Sequence, residues 1–348
     1  MTRIVAVAPV LPEHRYSQEE ITAELAPLLT TDASRRAVIA RLHGASRIGH
    51  RYTALPLETY RALGTFRESN DAFIRVATGL LERALTTALS EAGLAASDID
   101  FIMFTSVTGI AAPSIDGLLV QRMGMRSDVK RVPSFGLGCV AGAAGLARVD
   151  DYLVGHPTGV GVLLSVELCS LTLQRDDETM GNFVATGLFG DGAAAVVMVG
   201  DEHPKAAGPR IAATRSAFYP DTTGVIGWNV GETGFEIVLT PGVADVIEDH
   251  FEEDVAGFLA ANGVAAIDHW VAHPGGPKVL EGFEHALPDA RLQRSWDSLE
   301  RVGNLSSSSV LHVLADVIDL DRPAPGETGL LFAMGPGVCA EFVLLEWS

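Results

Sequence analysis

Cys139 stands in the run Gly136-Leu137-Gly138-Cys139-Val140-Ala141-Gly142-Ala143-Ala144-Gly145, where glycines crowd a single thiol. A helix-like segment from Val140 to about Leu153 follows at once. A sulfur at a helix start feels the partial positive charge of unpaired N–H groups, which favours thiolate over thiol. Glycines there let backbone or substrate come close. The same run also suits a small buried cysteine in a tight strand-to-helix turn. Two distant segments supply partners for a reactive thiolate. Trp270-Val271-Ala272-His273-Pro274-Gly275-Gly276 reads as an apolar strand ending at a histidine and stopped by Pro-Gly-Gly. Val302-Gly303-Asn304-Leu305 leads through Ser306 to Ser309 into a helix starting near Val310. An imidazolium can pair with a thiolate and donate to a developing oxyanion. Asparagine donates N–H at any pH and takes up no proton, which suits an oxyanion or enolate. Taken singly, a histidine before Pro-Gly is often a loop residue, and an asparagine before serines is often an N-cap.

The elements that must position these residues repeat. Ile99-Asp100 opens the apolar strand Phe101–Thr105, and Ile267-Asp268 opens a second strand that reads the same way. Each is followed by a helix, then by a short glycine-containing loop opening another helix, at Cys139 and at Asn304. Apolar strands come next, at Val160–Val166 and Gly329–Met334. A strand–helix–strand unit used twice predicts an α/β fold of helix-covered sheets. It places Cys139 and Asn304 at matching helix starts, with His273 just beyond the second-half strand.

With those motifs in view, the chain resembles the type III polyketide synthases, the chalcone-synthase-like branch of the thiolase superfamily, over nearly its whole length. The Cys139 run resembles the family's nucleophile segment, and 273–276 and 303–307 resemble the segments bearing its His and Asn. Leu188-Phe189-Gly190-Asp191-Gly192 resembles the run with its gatekeeper phenylalanine, and Ala333-Met334-Gly335-Pro336-Gly337 its Gly-Phe-Gly-Pro-Gly loop. Ala333 and Met334 depart from that loop, which implies a differently shaped wall. The resemblance implies a duplicated thiolase-like fold with αβαβα layers. Residues 1–203 form the half carrying the cysteine and 204–348 the half carrying His273 and Asn304. It further implies a cavity lined by Cys169, Thr172, Ala185, Phe189, Trp228, Ile237 and Ser306. Ala112 stands where relatives push a longer side chain across a homodimer interface. Small residues at Ala112 and Ala185 then point to a wider cavity, a medium or long acyl starter, and alkylpyrone or alkylresorcinol products.

Composition agrees. A chain of 348 residues with 47% hydrophobic content can bury a large core. A formal charge of −19 argues against nucleic acid. Three irregularly spaced cysteines and no signal peptide lead us to expect a reducing cytoplasm. No apolar run approaches the roughly 20 residues that span a bilayer, so no membrane insertion is expected. No Cys-x-x-Cys pair or phosphate-binding glycine fingerprint occurs, so neither metal nor nucleotide cofactor is expected. The acidic stretch Glu248–Asp254 reads as a solvent-facing helix. Arg35, Arg36, Arg41, Arg47 and Arg51 lie between Asp32 and Glu58 with no acidic residue among them. They form either a solvated helix face or a rim for polyanionic coenzyme A, with Arg47 and Arg51 the preferred contacts.

The expected chemistry follows. Cys139 accepts an acyl group from acyl-CoA. Malonyl-CoA loses carbon dioxide to give an enolate held by His273 and Asn304, and that enolate attacks the Cys139 thioester. Phe189 offers the malonyl carboxylate an apolar face that disfavours its charge. Cys169 is either a spectator core thiol or an influence on intermediates. A ketoacyl synthase III-like initiation enzyme would share the trio, but His-Pro-Gly-Gly and the Gly-Pro-Gly loop speak against it. A non-catalytic thiolase-fold binding subunit would lack one of the three.

Overall fold

Val160–Leu168 and Asp191–Gly200 are buried at every position, as apolar runs covered on both faces should be. They lie side by side as interior strands of the sheet in the structure, a computed structural model that describes residues 2–175 and 177–348. The strands of the first part are β1 (Thr2–Val10), the antiparallel pair β2 (His14–Ser17) and β3 (His50–Thr53), then β4 (Phe101–Thr105), β5 (Lys130–Ser134), β6 (Val160–Leu168) and β7 (Asp191–Gly200). The second part has β8 (Arg210–Phe218), the hairpin β9 (Ile226–Gly231) and β10 (Gly234–Leu239), then β11 (His269–Ala272), β12 (Thr328–Gly335) and β13 (Cys339–Glu346).

The predicted repeat is visible in the pairing. β4 runs parallel to β6, which is antiparallel to β7, which is antiparallel to β1. β11 runs parallel to β12, which is antiparallel to β13, which is antiparallel to β8. Short pairing of Thr2 with Ile211 and Arg3 with Arg210 joins the halves into one nine-stranded sheet. β5 breaks the symmetry as an added edge strand beside β4. The second half places two helices there instead, Pro277–Ala286 and Gln293–Val302.

Five layers result. The Phe66–Ala92 helix, boxed by Thr65 and Glu68 at its start and ended by left-handed Gly93, covers the first half-sheet. The Ala141–Val154 and Ser309–Asp316 helices lie between the half-sheets, where Leu146 and Val310 share a cluster with Leu163, Leu331 and Val343. Phe251, Phe283 and Leu299 then cover the far side of the second half against Phe332 and Phe342. Burying each such side chain is worth about 1.5–3 kcal/mol, so the central helix pair is firmly held. The fold is the expected α/β, αβαβα arrangement. Glu248–Asp254 is less simple than expected. Phe251 is core, and Asp254 accepts hydrogen bonds from Arg215 and Tyr219.

Candidate active site

The glycines around Cys139 are explained by close approach. Gly138 has φ +58°, and a Cβ there would lie 2.5 Å from Pro336. A Cβ on Gly142 would lie 2.4 Å from the Ser307 carbonyl oxygen. The C-terminal Gly335-Pro336-Gly337 loop and the second-half serine turn therefore both press against the Cys139 turn. Ala333 and Met334 are buried residues of β12 at the base of that loop.

Cys139 sits in a 3-10 turn, Gly138–Val140, that runs into the Ala141–Val154 helix. Its Sγ donates to Ser306 Oγ at 3.6 Å. Asn304 organises the opposite turn. Its Oδ1 accepts from the Ser306 backbone N–H at 2.8 Å, and its Nδ2 donates to the Gly275 carbonyl at 3.0 Å. That second bond ties the Asn304 turn to the Pro-Gly-Gly turn after His273. The His273 backbone N–H donates to Phe332 of the neighbouring strand, and its Nδ1 is buried with no hydrogen-bond partner among the described residues. Phe189 joins the same corner through a backbone bridge to Asn304.

Electrostatics correct one expectation. Burial pushes the Cys139 thiol up to about 12, although a hydrogen bond with Ser306 opposes it. Burial alone pushes His273 down to about 3. A helix start offers about 0.3–1 kcal/mol, while one pH unit is about 1.4 kcal/mol. Desolvation therefore outweighs the helix-start effect. Neither ion is favourable alone in this corner, and a thiolate forms only where a neighbour takes its proton. With His273→Gln, alkylation of Cys139 by iodoacetamide near pH 7 should fall at least about tenfold. It should recover only as pH climbs toward the buried thiol's own value, because the raised pKa keeps the proton on sulfur below it. An unchanged rate would show that His273 is not that neighbour.

Glu167 was missed by sequence reasoning. It lies fully buried in β6 and accepts from the Val107 N–H at 3.1 Å, from Thr108 Oγ1 at 2.9 Å, and from Ser307 Oγ. Ser306 Oγ, the acceptor from Cys139, also donates to Glu167 at 3.4 Å. Burial raises the Glu167 carboxyl to about 7. A lone carboxylate within Val-Gly-Val-Leu-Leu-Ser-Val-Glu-Leu was the available signal.

Cys169, Thr172, Ala185, Phe189, Trp228 and Ile237 do line one cavity, together with Arg51, Thr53 and Asn182. Ser306 does not; it faces Cys139. Ala112 is exposed on the loop after β4. The cavity measures ≈ 40 Å³. Ala185 lines it beside Phe189, Trp228 and Ile237, whereas Ala112 does not.

The arginines also separate. Arg47 is exposed, pairs with Glu281 at 3.0 Å and covers Trp296 at 4.7 Å. Arg51 is only 3% exposed and belongs to no rim. Its Nε donates to Gln18 Oε1 at 2.9 Å and its Nη1 to the Phe189 carbonyl at 2.7 Å. Strand β3 turns it inward, beside the cavity.

The layered fold and this corner are those of a thiolase-like acyltransferase. Residues 1–202 match the profile "Chalcone and stilbene synthases, N-terminal domain", and residues 210–347 match its C-terminal counterpart. The chain belongs to the chalcone and stilbene synthase family, the type III polyketide synthases. It is 53% identical to the 1,3,6,8-tetrahydroxynaphthalene synthase of Streptomyces peucetius subsp. caesius, over 99% of this chain and 93% of that one. It is 31% identical to the phloroglucinol synthase of Pseudomonas fluorescens, over 97% of each chain. The crystal structure of the Streptomyces coelicolor tetrahydroxynaphthalene synthase superposes with a TM-score of 0.91 at 30% identity, covering 99% of each chain. That family displaces the ketoacyl synthase III and binding-subunit readings. The enzyme condenses acyl-CoA and malonyl-CoA units iteratively.

Proposed function

We propose that this polyketide synthase builds 1,3,6,8-tetrahydroxynaphthalene from malonyl-CoA alone, in place of the alkylpyrones or alkylresorcinols expected from its small residues. The observation that carries this reading is the cavity. Arg51, Thr53, Thr172 and Asn182 give it polar walls. A chain of alternating ketones suits such walls better than a hydrocarbon does. The 53% identical relative carries that product in its name.

In this reading Cys139 carries the growing chain. His273 accepts the thiol proton during loading, and His273 and Asn304 stabilise the enolate oxygen left by decarboxylation. No general base is needed for extension, since departure of carbon dioxide supplies the electron pair. Phe189, half-buried beside Asn304, disfavours the malonyl carboxylate. Arg47 remains the candidate CoA contact. We read Cys169 as a wall residue, because burial raises its thiol well above the usual range. The enzyme works in the cytoplasm without a cofactor beyond its CoA substrates, and no described helix is long and apolar enough to cross a membrane. We also read it as a homodimer of chains whose two halves are 1–203 and 204–348. Exposed Ile110, two residues before Ala112, supports an apolar contact there.

Purified protein given malonyl-CoA as its only thioester should release tetrahydroxynaphthalene, identified by mass spectrometry. Products appearing only when a medium-chain acyl-CoA is added would overturn the proposal.

A further inference from the structure

Arg51 carries an unused donor. Its Nη2 is buried and has no hydrogen-bond partner among the described residues, while Nε and Nη1 are both engaged. The nearby acid, Asp191, spends its oxygens elsewhere, accepting from the Ala54 N–H at 2.6 Å, the Ser170 N–H at 2.8 Å and Ser170 Oγ. The guanidinium is held in place from behind. Gly303, at φ +74°, leaves room for the Arg51 stem, which lies 3.1 Å from where a Cβ would be. An unsatisfied buried donor of this kind costs about 1–3 kcal/mol, and more for a charged group. It persists beside a cavity that Arg51 itself lines.

The proposed product says what would meet that donor. In 1,3,6,8-tetrahydroxynaphthalene the oxygenated carbons alternate, as five two-carbon units joined head to tail would place them. The chain end farthest from the thioester becomes a ring-fusion carbon. It bonds to two former carbonyl carbons, once by aldol addition and once by displacing the Cys139 thiol. A plain terminal methyl is a weak carbon acid for such work. A terminal methylene that still carries the carboxylate of an undecarboxylated malonyl starter is a stronger one, and the electron pair freed by its decarboxylation can form one of the bonds. The balance closes. One intact malonyl plus four extender units on Cys139 lose one carbon dioxide, one water and the Cys139 thiol to give the naphthalene.

We infer that Arg51 Nη2 binds the terminal carboxylate of a malonyl starter and so selects dicarboxylic over monocarboxylic acyl groups at loading. This rests on the functional reading above. The bond is a charge-assisted one in a water-poor cavity, where such contacts discriminate most.

Succinyl-CoA tests it, because its carboxylate is not β to the thioester and is not lost. Butyryl-CoA is its neutral counterpart of equal carbon count. Intact-protein mass spectrometry after brief exposure reads the rate at which each acyl group loads on Cys139. The wild-type enzyme should load succinyl at least about tenfold faster than butyryl. Arg51→Gln should lose that preference, with the succinyl-to-butyryl loading ratio falling to about parity. A wild-type ratio at parity or below overturns the inference even if the variant does not fold, as does a wild-type ratio kept by Arg51→Gln. Tetrahydroxynaphthalene from malonyl-CoA without carboxylate preference would refute Arg51 alone. Failure to make the naphthalene from malonyl-CoA would refute the functional reading and this inference with it.

Discussion

Cys139→Ala should abolish starter loading and every later condensation, leaving no acyl-enzyme and no polyketide. The side chain is small and the turn backbone is unchanged, so the melting temperature should stay near that of wild type. Cys169→Ser and Cys339→Ser should keep measurable condensation. Cys169 lines the cavity wall and Cys339 sits at the start of β13, whereas Cys139 is the thiol that donates to Ser306. Product analysis on the three variants makes the comparison. Full activity in Cys139→Ala would place the nucleophile elsewhere.

The second large effect falls on Asn304. Its Nδ2 is the donor assigned to the enolate, and its Oδ1 also holds the Ser306 N–H. Asn304→Ala should lower malonyl-CoA decarboxylation and condensation by about 10²–10³, the usual cost of one lost oxyanion donor. Loading should fall much less, because Cys139 and His273 remain. Asn304→Asp serves as the check on turn geometry. It keeps the acceptor for Ser306 but removes the amide donor, so it should be equally impaired in decarboxylation. If Asn304→Asp decarboxylates normally, the asparagine is only a turn residue. Burial makes the starting point clear. Asn304 is 2% exposed and already spends Nδ2 on the Gly275 carbonyl at 3.0 Å, a bond that must yield or share when an enolate oxygen arrives.

Several features could be read in the sequence because they depend on local geometry. The glycine run at Cys139 marked a place where other chain segments come close, and Pro336 and the Ser307 carbonyl are those segments. The two Ile-Asp strands marked the repeat, and β4 and β11 hold equivalent places beside β6 and β12. What the sequence hid depends on tertiary burial. Arg51 reads as one arginine in a basic stretch, and only the approach of Gln18, Phe189 and Gly303 turns it into a buried cavity wall. The desolvation of Cys139 was hidden for the same reason. Local sequence shows the helix start but not the packing that desolvates the thiol. The cavity lining was only partly legible because Ala185 is local, whereas Trp228 and Ile237 arrive from a hairpin some forty to fifty residues later.

The central claim is that malonyl units alone are assembled on Cys139. Quenching a reaction with malonyl-CoA as the only thioester, digesting the protein and mapping adducts by mass spectrometry tests it most directly. The account predicts a ladder of acyl masses on the peptide containing Cys139, spaced by one CH₂–CO unit. Adducts confined to Cys169 or Cys339, or a Cys139 peptide that stays unmodified while product accumulates, would contradict it.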